Sequence, residues 1–396
     1  MPSILITDGE QRSALATARS LGRAGHRVFV TAHAPKSLAG SSRHVWDTAL
    51  VPDALSSPAQ FVDRIVDLVE RWQIDLVLPV TEAALLALLP QRQRVRATMP
   101  FPSAESFQRL CDKSVVAMEA QPLGIKVPRT IRIACADDLE RNGPDQLHYP
   151  LVIKPHRSVM IDNGARSKGA VKVVANPSAL RAAIQELPAA AFPVLLQERI
   201  VGPGVGIFVL LHRGKVHAAF AHRRIREKPP WGGVSVLRES IPLDQDLLER
   251  SVELLRRFDF EGAAMVEYKV DAGTDTPYIM EINGRFWGSL QLAIDAGVDF
   301  PALLVQAALD DAAQEPPQYH AGTRSRWFWG DVDSLLLTLR GNRASNVERT
   351  SRVRACVEFV RAFGPGSRSE VFRWSDPMPA VRETLDWFAS LKRSKN

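Results

Sequence analysis

The chain opens with short apolar runs that alternate with stretches of helical period. Ile4-Leu5-Ile6 reads as a buried strand and Thr7-Asp8-Gly9 as a turn. Residues 13–24 read as a helix with Leu15, Ala18 and Leu21 on one face, stopped by Gly25. Arg27-Val28-Phe29-Val30 is the next strand, residues 61–72 a helix carrying Ile65, Val66, Leu68 and Val69, and residues 75–79 another buried strand. Strands and helices in alternation imply a parallel sheet covered by helices, so residues 1–105 are expected to form one α/β domain. The first turn, Thr7-Asp8-Gly9-Glu10, lacks the glycine spacing that lets a backbone approach a pyrophosphate, so it reads as a plain strand-to-helix connection.

The pattern resets after Pro100-Phe101-Pro102-Ser103. Helical period runs over 104–120, and Pro122, Gly124 and Pro128 mark a connection. From Tyr149 the texture is mixed α+β. Strands are expected at 151–154, 171–174 and 194–198, with a helix at 178–187, and further strands at 206–211, 216–221, 263–270 and 278–282. Glu315-Pro316-Pro317 suggests a last boundary. The organisation expected is therefore 1–105, 106–188, 189–315 and a basic, mostly helical extension over 316–396.

Composition narrows the class. With 396 residues, 45% hydrophobic and 24% charged, the chain can build more than one ordinary globular core. Cys111, Cys135 and Cys356 form no CxxC pair, which points to reduced thiols and a cytoplasmic setting. No segment reads as a signal peptide, and no apolar run approaches the ~18 residues of a membrane span. The net charge of +6 comes from the end of the chain, where 14 Lys and Arg face 8 Asp and Glu from Ala321 onward. These basic residues are interspersed with acids and read as a solvated helical surface, so neither nucleic acid nor membrane is expected as a partner; a homodimer is open.

The chemistry concentrates later. In Glu281-Ile282-Asn283-Gly284-Arg285, strand alternation puts Glu281, Asn283 and Arg285 on one face. Glu281 and Asn283 are hard oxygen donors suited to magnesium, and the Arg285 fork suits phosphate or carboxylate. Glu267, fourteen residues upstream, is expected on the neighbouring strand of a hairpin, where two carboxylates would repel unless a cation lies between them. The same alternation also suits a charged ladder on a half-exposed strand. Lys154 ends an apolar strand before Pro155, a strand-tip position that suits phosphate. Glu198, after Val194-Leu195-Leu196-Gln197, could meet an adenosine. Between these lie Arg223, Arg224 and Arg226 with Trp231 and Gly232-Gly233. Arg224 and Arg226 are the candidate substrate contacts, against the alternative of a solvent-exposed charged hairpin.

Taken in order, Asp112-Lys113, Val152-Ile153-Lys154-Pro155, Gln197-Glu198, Met265-Val266-Glu267-Tyr268-Lys269 and Glu281-Ile282-Asn283-Gly284-Arg285 resemble the motifs of the ATP-grasp superfamily. The stretch from Glu281 to Ala293 is most similar to its carbamoyl-phosphate-synthase-like, stand-alone carboxylate–amine ligases. The resemblance covers roughly residues 1–310. It implies an N-terminal pre-ATP-grasp domain followed by two α+β subdomains that enclose ATP, and it implies an ADP-forming joining of a small-molecule carboxylate to an amine. Lys113 and Lys154 would contact the phosphates. Gln197, Glu198 and Ile200 would hold adenosine. Glu267, Glu281 and Asn283 would ligate magnesium, or manganese, and Arg285 would stabilise the transferring phosphoryl group and meet the substrate. Ser167 and Lys168 look like a serine-and-basic version of the family's glycine-rich phosphate loop. Two departures stand out: that loop has only Gly164 and Gly169, and residues 202–206 lack the acidic residue many members place near the ribose. The same residues are also compatible with an enzyme that stops at an acyl or carbonyl phosphate, or with a non-catalytic ATP-binding regulator.

Overall fold

The computed structural model describes residues 1–162, 165–310, 315–341, 351–364 and 366–393. The first domain contains β1 (Ser3–Ile6), α1 (Arg12–Arg23), β2 (Arg27–Ala32), β3 (Asp47–Leu50), α2 (Pro58–Trp72), β4 (Leu76–Leu78) and α3 (Glu82–Leu88). Its sheet is wholly parallel, in the order β3-β2-β1-β4. Strands β1, β2 and β4 are buried, as their apolar runs required, while β3 at the edge is largely exposed and carries no such run. The order reverses between β1 and β4, and a crevice opens beyond the carboxyl ends of strands at such a switch point. Here the two flanking loops are joined by a hydrogen bond from Thr81 Oγ1 to Asp8 Oδ1, 3.0 Å.

Two helices follow, α4 (Ala104–Leu110) and α5 (Lys113–Ala120). The periodicity suggested helical stretches over 104–120 without placing a break. Asp112 makes the break, because its carboxylate accepts the Ser114 N–H at 2.9 Å and caps α5. Next come β5 (Thr130–Ile133), α6 (Asp138–Arg141), β6 (Leu151–Pro155), β7 (Val159–Asp162), β8 (Ala165–Lys168), β9 (Lys172–Val174), α7 (Pro177–Gln185) and β10 (Val194–Glu198). Strands β5-β10-β6-β9 form an antiparallel sheet backed by α7, and β7 and β8 form a separate hairpin. Strand β10 thus pairs with the preceding subdomain rather than with residues 189–315, among which the sequence had grouped it.

The last set is β11 (Gly204–His212), β12 (Lys215–Lys228), β13 (Val234–Ser240), α8 (Gln245–Arg256), β14 (Gly262–Val270), β15 (Pro277–Asn283), α9 (Leu290–Ala296), α10 (Phe300–Asp310), β16 (Arg324–Arg326), α11 (Phe328–Arg340), α12 (Arg352–Arg361), β17 (Ser367–Ser369) and α13 (Met378–Arg393). A seven-stranded sheet runs β15-β14-β11-β12-β13-β16-β17. One face shares a continuous core with the first domain through Phe208, Phe220, Trp287 and Phe300, and the other packs on α5 and α8.

The C-terminal segment is not a solvated appendage. Strands β16 and β17 extend the main sheet, and three of the segment's acids are buried against arginines elsewhere. Asp331 takes Arg226 at 2.5 Å and Arg326 at 2.6 Å. Glu370 pairs with Arg12 and Arg238. Asp376 takes Arg19 at 2.8 Å, the Ser42 hydroxyl at 2.7 Å and the Arg43 N–H at 3.0 Å. Interspersed charge in the sequence concealed these contacts, because every partner except Arg326 lies far away along the chain. Burial alone would raise the Asp376 carboxyl, but the Ser42, Arg19 and Arg43 donors outweigh it and hold it below its ordinary value. Its stabilisation is therefore complete above the usual carboxylate range and is lost as pH falls through the lowered native value. Asp376→Ala, which strands the buried Arg19, should cost about 3–5 kcal/mol in urea unfolding at pH 7. Asp386→Ala, which removes only the exposed α13 pair with Arg382, should cost about 0–1 kcal/mol. Equal losses would contradict this account.

Candidate active site

The β14–β15 hairpin sets Glu267 directly opposite Glu281. Their side chains are 15% and 30% exposed. Two carboxylates at adjacent, poorly hydrated positions repel, and each has found a cation. Arg224 Nη2 lies 2.5 Å from Glu267, and Lys113 Nζ lies 3.2 Å from Glu281. Burial and the neighbouring Glu281 raise the Glu267 carboxyl, with Arg224 opposing. Burial would raise Glu281 too, but Lys113 and the Asn283 amide outweigh it and hold it well below its ordinary value. Alternation carries the row onward. Asn283 Nδ2 donates to Glu281 at 3.1 Å, and Arg285 Nη2 donates to the Asn283 carbonyl oxygen at 3.3 Å. The turn beyond is tight, since a Cβ on Gly284 would lie 2.9 Å from Phe260 and 3.1 Å from Leu110.

Lys113 is fixed at the start of α5. Its N–H donates to His156 O at 2.9 Å, and its ammonium also donates to Ser158 Oγ at 3.1 Å. Lys154 comes from β6, is 6% exposed, and has no hydrogen-bond or ion-pair partner among the described residues. Burial and the nearby Lys113 lower its pKa to about 8, against the opposing pull of Glu281 and Glu267. A buried ammonium without an anion is costly, and a phosphate would complete it.

The β7–β8 hairpin stands where the phosphate loop was expected. Ser167 is exposed opposite Met160; the Lys168 side chain and Gly164 lie outside the described residues. Gly169 closes the hairpin, its N–H donating to Ser158 O at 3.1 Å, and a Cβ there would strike Pro155 at 2.4 Å. Gln197 and Glu198 end β10, with Ile200 buried just beyond. Gln197 Nε2 donates to Thr130 Oγ1 at 2.9 Å, and one Glu198 oxygen accepts the Arg129 N–H at 2.8 Å. Part of the polar capacity of both residues is therefore already committed to β5 and its approach.

Arg224 and Arg226 lie on β12, with shifts of register on both sides of Arg226. Arg224 reaches Glu267 across Gly204, where a Cβ would come within 2.8 Å of its side chain. The charge of Arg226 is taken by Asp331, and its second nitrogen donates to Glu358 O at 3.2 Å. Both arginines line a cavity of about 460 Å³ between β12 and the helices α11 and α12.

One residue escaped the sequence reading. Glu82, the first residue of α3, comes from the N-terminal domain at the switch point between β1 and β4. Burial raises its carboxyl, and the charges that oppose this most are Arg285 and Lys113. One of its oxygens is buried without a hydrogen-bond partner. An acid in the first turn of a helix is ordinary, so its sequence position carried no signal.

A family model described as ATP-grasp in the biosynthetic pathway with Ter operon matches residues 191–330. Solved structures extend the likeness across the chain. L-amino acid ligase from Bacillus licheniformis superposes with a TM-score of 0.62 at 18% identity, covering 78% of this chain and 74% of that one. N5-carboxyaminoimidazole synthetase from Staphylococcus aureus gives 0.60 at 14% identity, covering 80% and 78%. The biotin carboxylase domain of Hydrogenobacter thermophilus 2-oxoglutarate carboxylase, solved with MgADP and bicarbonate, gives 0.63 at 14% identity, covering 82% and 73%. The chain has the ATP-grasp fold. No curated protein matches the sequence.

In an ATP-grasp frame the two sheets and the β7–β8 hairpin surround the residues described above. The donor set fits a hard divalent cation. Among the described residues no three His, Cys, Asp or Glu side chains converge. Glu267, Glu281 and the Asn283 amide would supply oxygen ligands, and nucleotide oxygens and water would fill the remaining positions. Arg224 and Lys113 stand where such a cation would neutralise the two carboxylates.

The Lys154 amine gives a direct check. In the free protein it should lose its proton near pH 8, whereas bound phosphate favours the charged form. ATP binding at pH 8.5 should therefore take up protons, and affinity should fall as pH rises through about 8. Calorimetry in buffers of differing ionisation heat reads the uptake, which Lys154→Arg should abolish. Unchanged uptake in that variant would remove Lys154 from the phosphate site.

Proposed function

We propose that this chain uses ATP to phosphorylate a small-molecule carboxylate and joins the resulting acyl phosphate to an amine, releasing ADP and phosphate. The observation that carries the reading is the continuity of the site. The Glu267–Glu281 pair, with Asn283 and Arg285 beyond it, leads through Arg224 into a cavity of about 460 Å³.

Lys113 and Lys154 bind the phosphates, and Gln197, Glu198 and Ile200 border adenosine. Glu267, Glu281 and Asn283 would hold magnesium, or manganese, which would supply charge neutralisation on the phosphate oxygens. The substrate carboxylate, oriented by Arg224 and Arg285, attacks the γ-phosphorus. An O–P bond forms, the β–γ bridging P–O bond breaks, and ADP leaves. The amine nitrogen then attacks the acyl carbon, the C–O bond to phosphate breaks, and the ammonium proton is lost. Glu82, facing Arg285 from the N-terminal domain, is placed to accept that proton. The protein contributes position and preorganised charge rather than a covalent nucleophile.

Several of the structural relatives are carboxylases by name, which suggests bicarbonate and a carbonyl phosphate as the alternative. The cavity favours the larger carboxylate, since bicarbonate would fill only a small part of its volume. A screen of carboxylate–amine pairs for ADP release, followed by product mass, separates the two. The reading expects an amide product, and Glu281→Gln should lower ADP formation by about 100-fold or more. Product formation with bicarbonate alone, or turnover unchanged by Glu281→Gln, would defeat it.

A further inference from the structure

The far wall of the cavity is not part of either ATP-grasp sheet. It comes from the C-terminal segment: Leu335 on α11, Glu358 and Arg361 on α12. The floor is β12 with Arg224 and Arg226, and Leu237 adds apolar surface from β13.

The charges around it do not cancel. Arg226 is neutralised by buried Asp331, and Glu358 is held by Arg354 at 2.7 Å. Arg324, at the rim, is taken by Glu239 at 2.8 Å. Arg224 is shared between Glu267 and Glu227, and a cation on Glu267 would release its second nitrogen. Arg361 differs from all of these. It lines the cavity and has no hydrogen bond or ion pair to its side chain among the described residues. An uncompensated guanidinium on one wall and a releasable one on the other, with apolar surface between, make a site for an anion at each end.

We propose that the C-terminal segment completes the substrate pocket, and that Arg361 binds a second anionic group on the substrate. The substrate is then a small dianion. One carboxylate is activated beside Arg224, and a second carboxylate or phosphate is held on α12. This rests on the carboxylate-activation reading for the first end only. A carboxylate and a phosphate offer Arg361 the same fork-shaped acceptor, and the probes separate them.

The test is equilibrium binding to the full chain with magnesium and a non-hydrolysable ATP analogue. Glutarate and adipate are compared with butyrate and hexanoate, and 3-phosphonopropionate represents the phosphate-type anion. One added charge-assisted contact should make the dianions bind at least about tenfold tighter. Arg361→Ala should erase that preference and leave the monocarboxylates unchanged. Arg361→Lys should keep part of it, and Arg352→Ala, elsewhere on α12, should keep all of it. Which of glutarate or 3-phosphonopropionate loses more in Arg361→Ala identifies the second group. Absence of a dianion preference, a preference that survives Arg361→Ala, or no binding of any probe overturns the proposal. Carboxylate activation is judged separately, by ADP release across the wider panel.

Discussion

Two carboxylates face each other across a β-hairpin, and the site is organised around that repulsion. Glu267 and Glu281 could not both be ionised at adjacent, mostly buried positions without cations. Lys113 and Arg224 answer it in the free protein, and each brings another element with it. Lys113 ties the start of α5 and the β6–β7 connection to β15. Arg224 ties β12, and with it the cavity, to β14. A divalent cation would answer the same repulsion more strongly and leave both side chains free for nucleotide and substrate. The candidate metal, phosphate and substrate positions are thus linked by one electrostatic requirement.

The C-terminal segment follows a related logic on a larger scale. Asp331, Glu370 and Asp376 are buried, and each is paired with arginines from the first domain or the main sheet. The Asp331–Arg226 pair ties α11 to β12, and Arg226 also donates to Glu358 O on α12, so one arginine in the cavity holds the facing wall in place. Such pairs offset their own desolvation only while complete, which makes the segment's placement sensitive to loss of one partner.

Much of the frame could be read from the sequence because its signals are local. Three of the four parallel strands of the first domain showed as apolar runs, the exposed edge strand β3 did not, and alternation placed Glu281, Asn283 and Arg285 on one face. The cross-strand position of Glu267 followed from its spacing. What escaped depends on distant partners. Glu82 is unremarkable in its helix and matters only because the β1/β4 switch point faces Arg285. Strand β10 looked like the start of the next subdomain, yet it pairs between β5 and β6. The charge pattern after Ala321 resembled a solvated surface because the arginines that bury its acids are as far as 358 residues away along the chain. Arg226, expected to meet substrate, has its charge matched by Asp331, while among the described residues Arg361 on the facing wall has no such match.

The account stands on transfer of the γ-phosphoryl group to a carboxylate oxygen at the Glu267–Glu281 site. Turnover of an ¹⁸O-labelled carboxylate substrate, with mass analysis of the released phosphate, tests that step. The account expects one labelled oxygen in each phosphate released, alongside ADP. Unlabelled phosphate, or label carried into AMP, would contradict it.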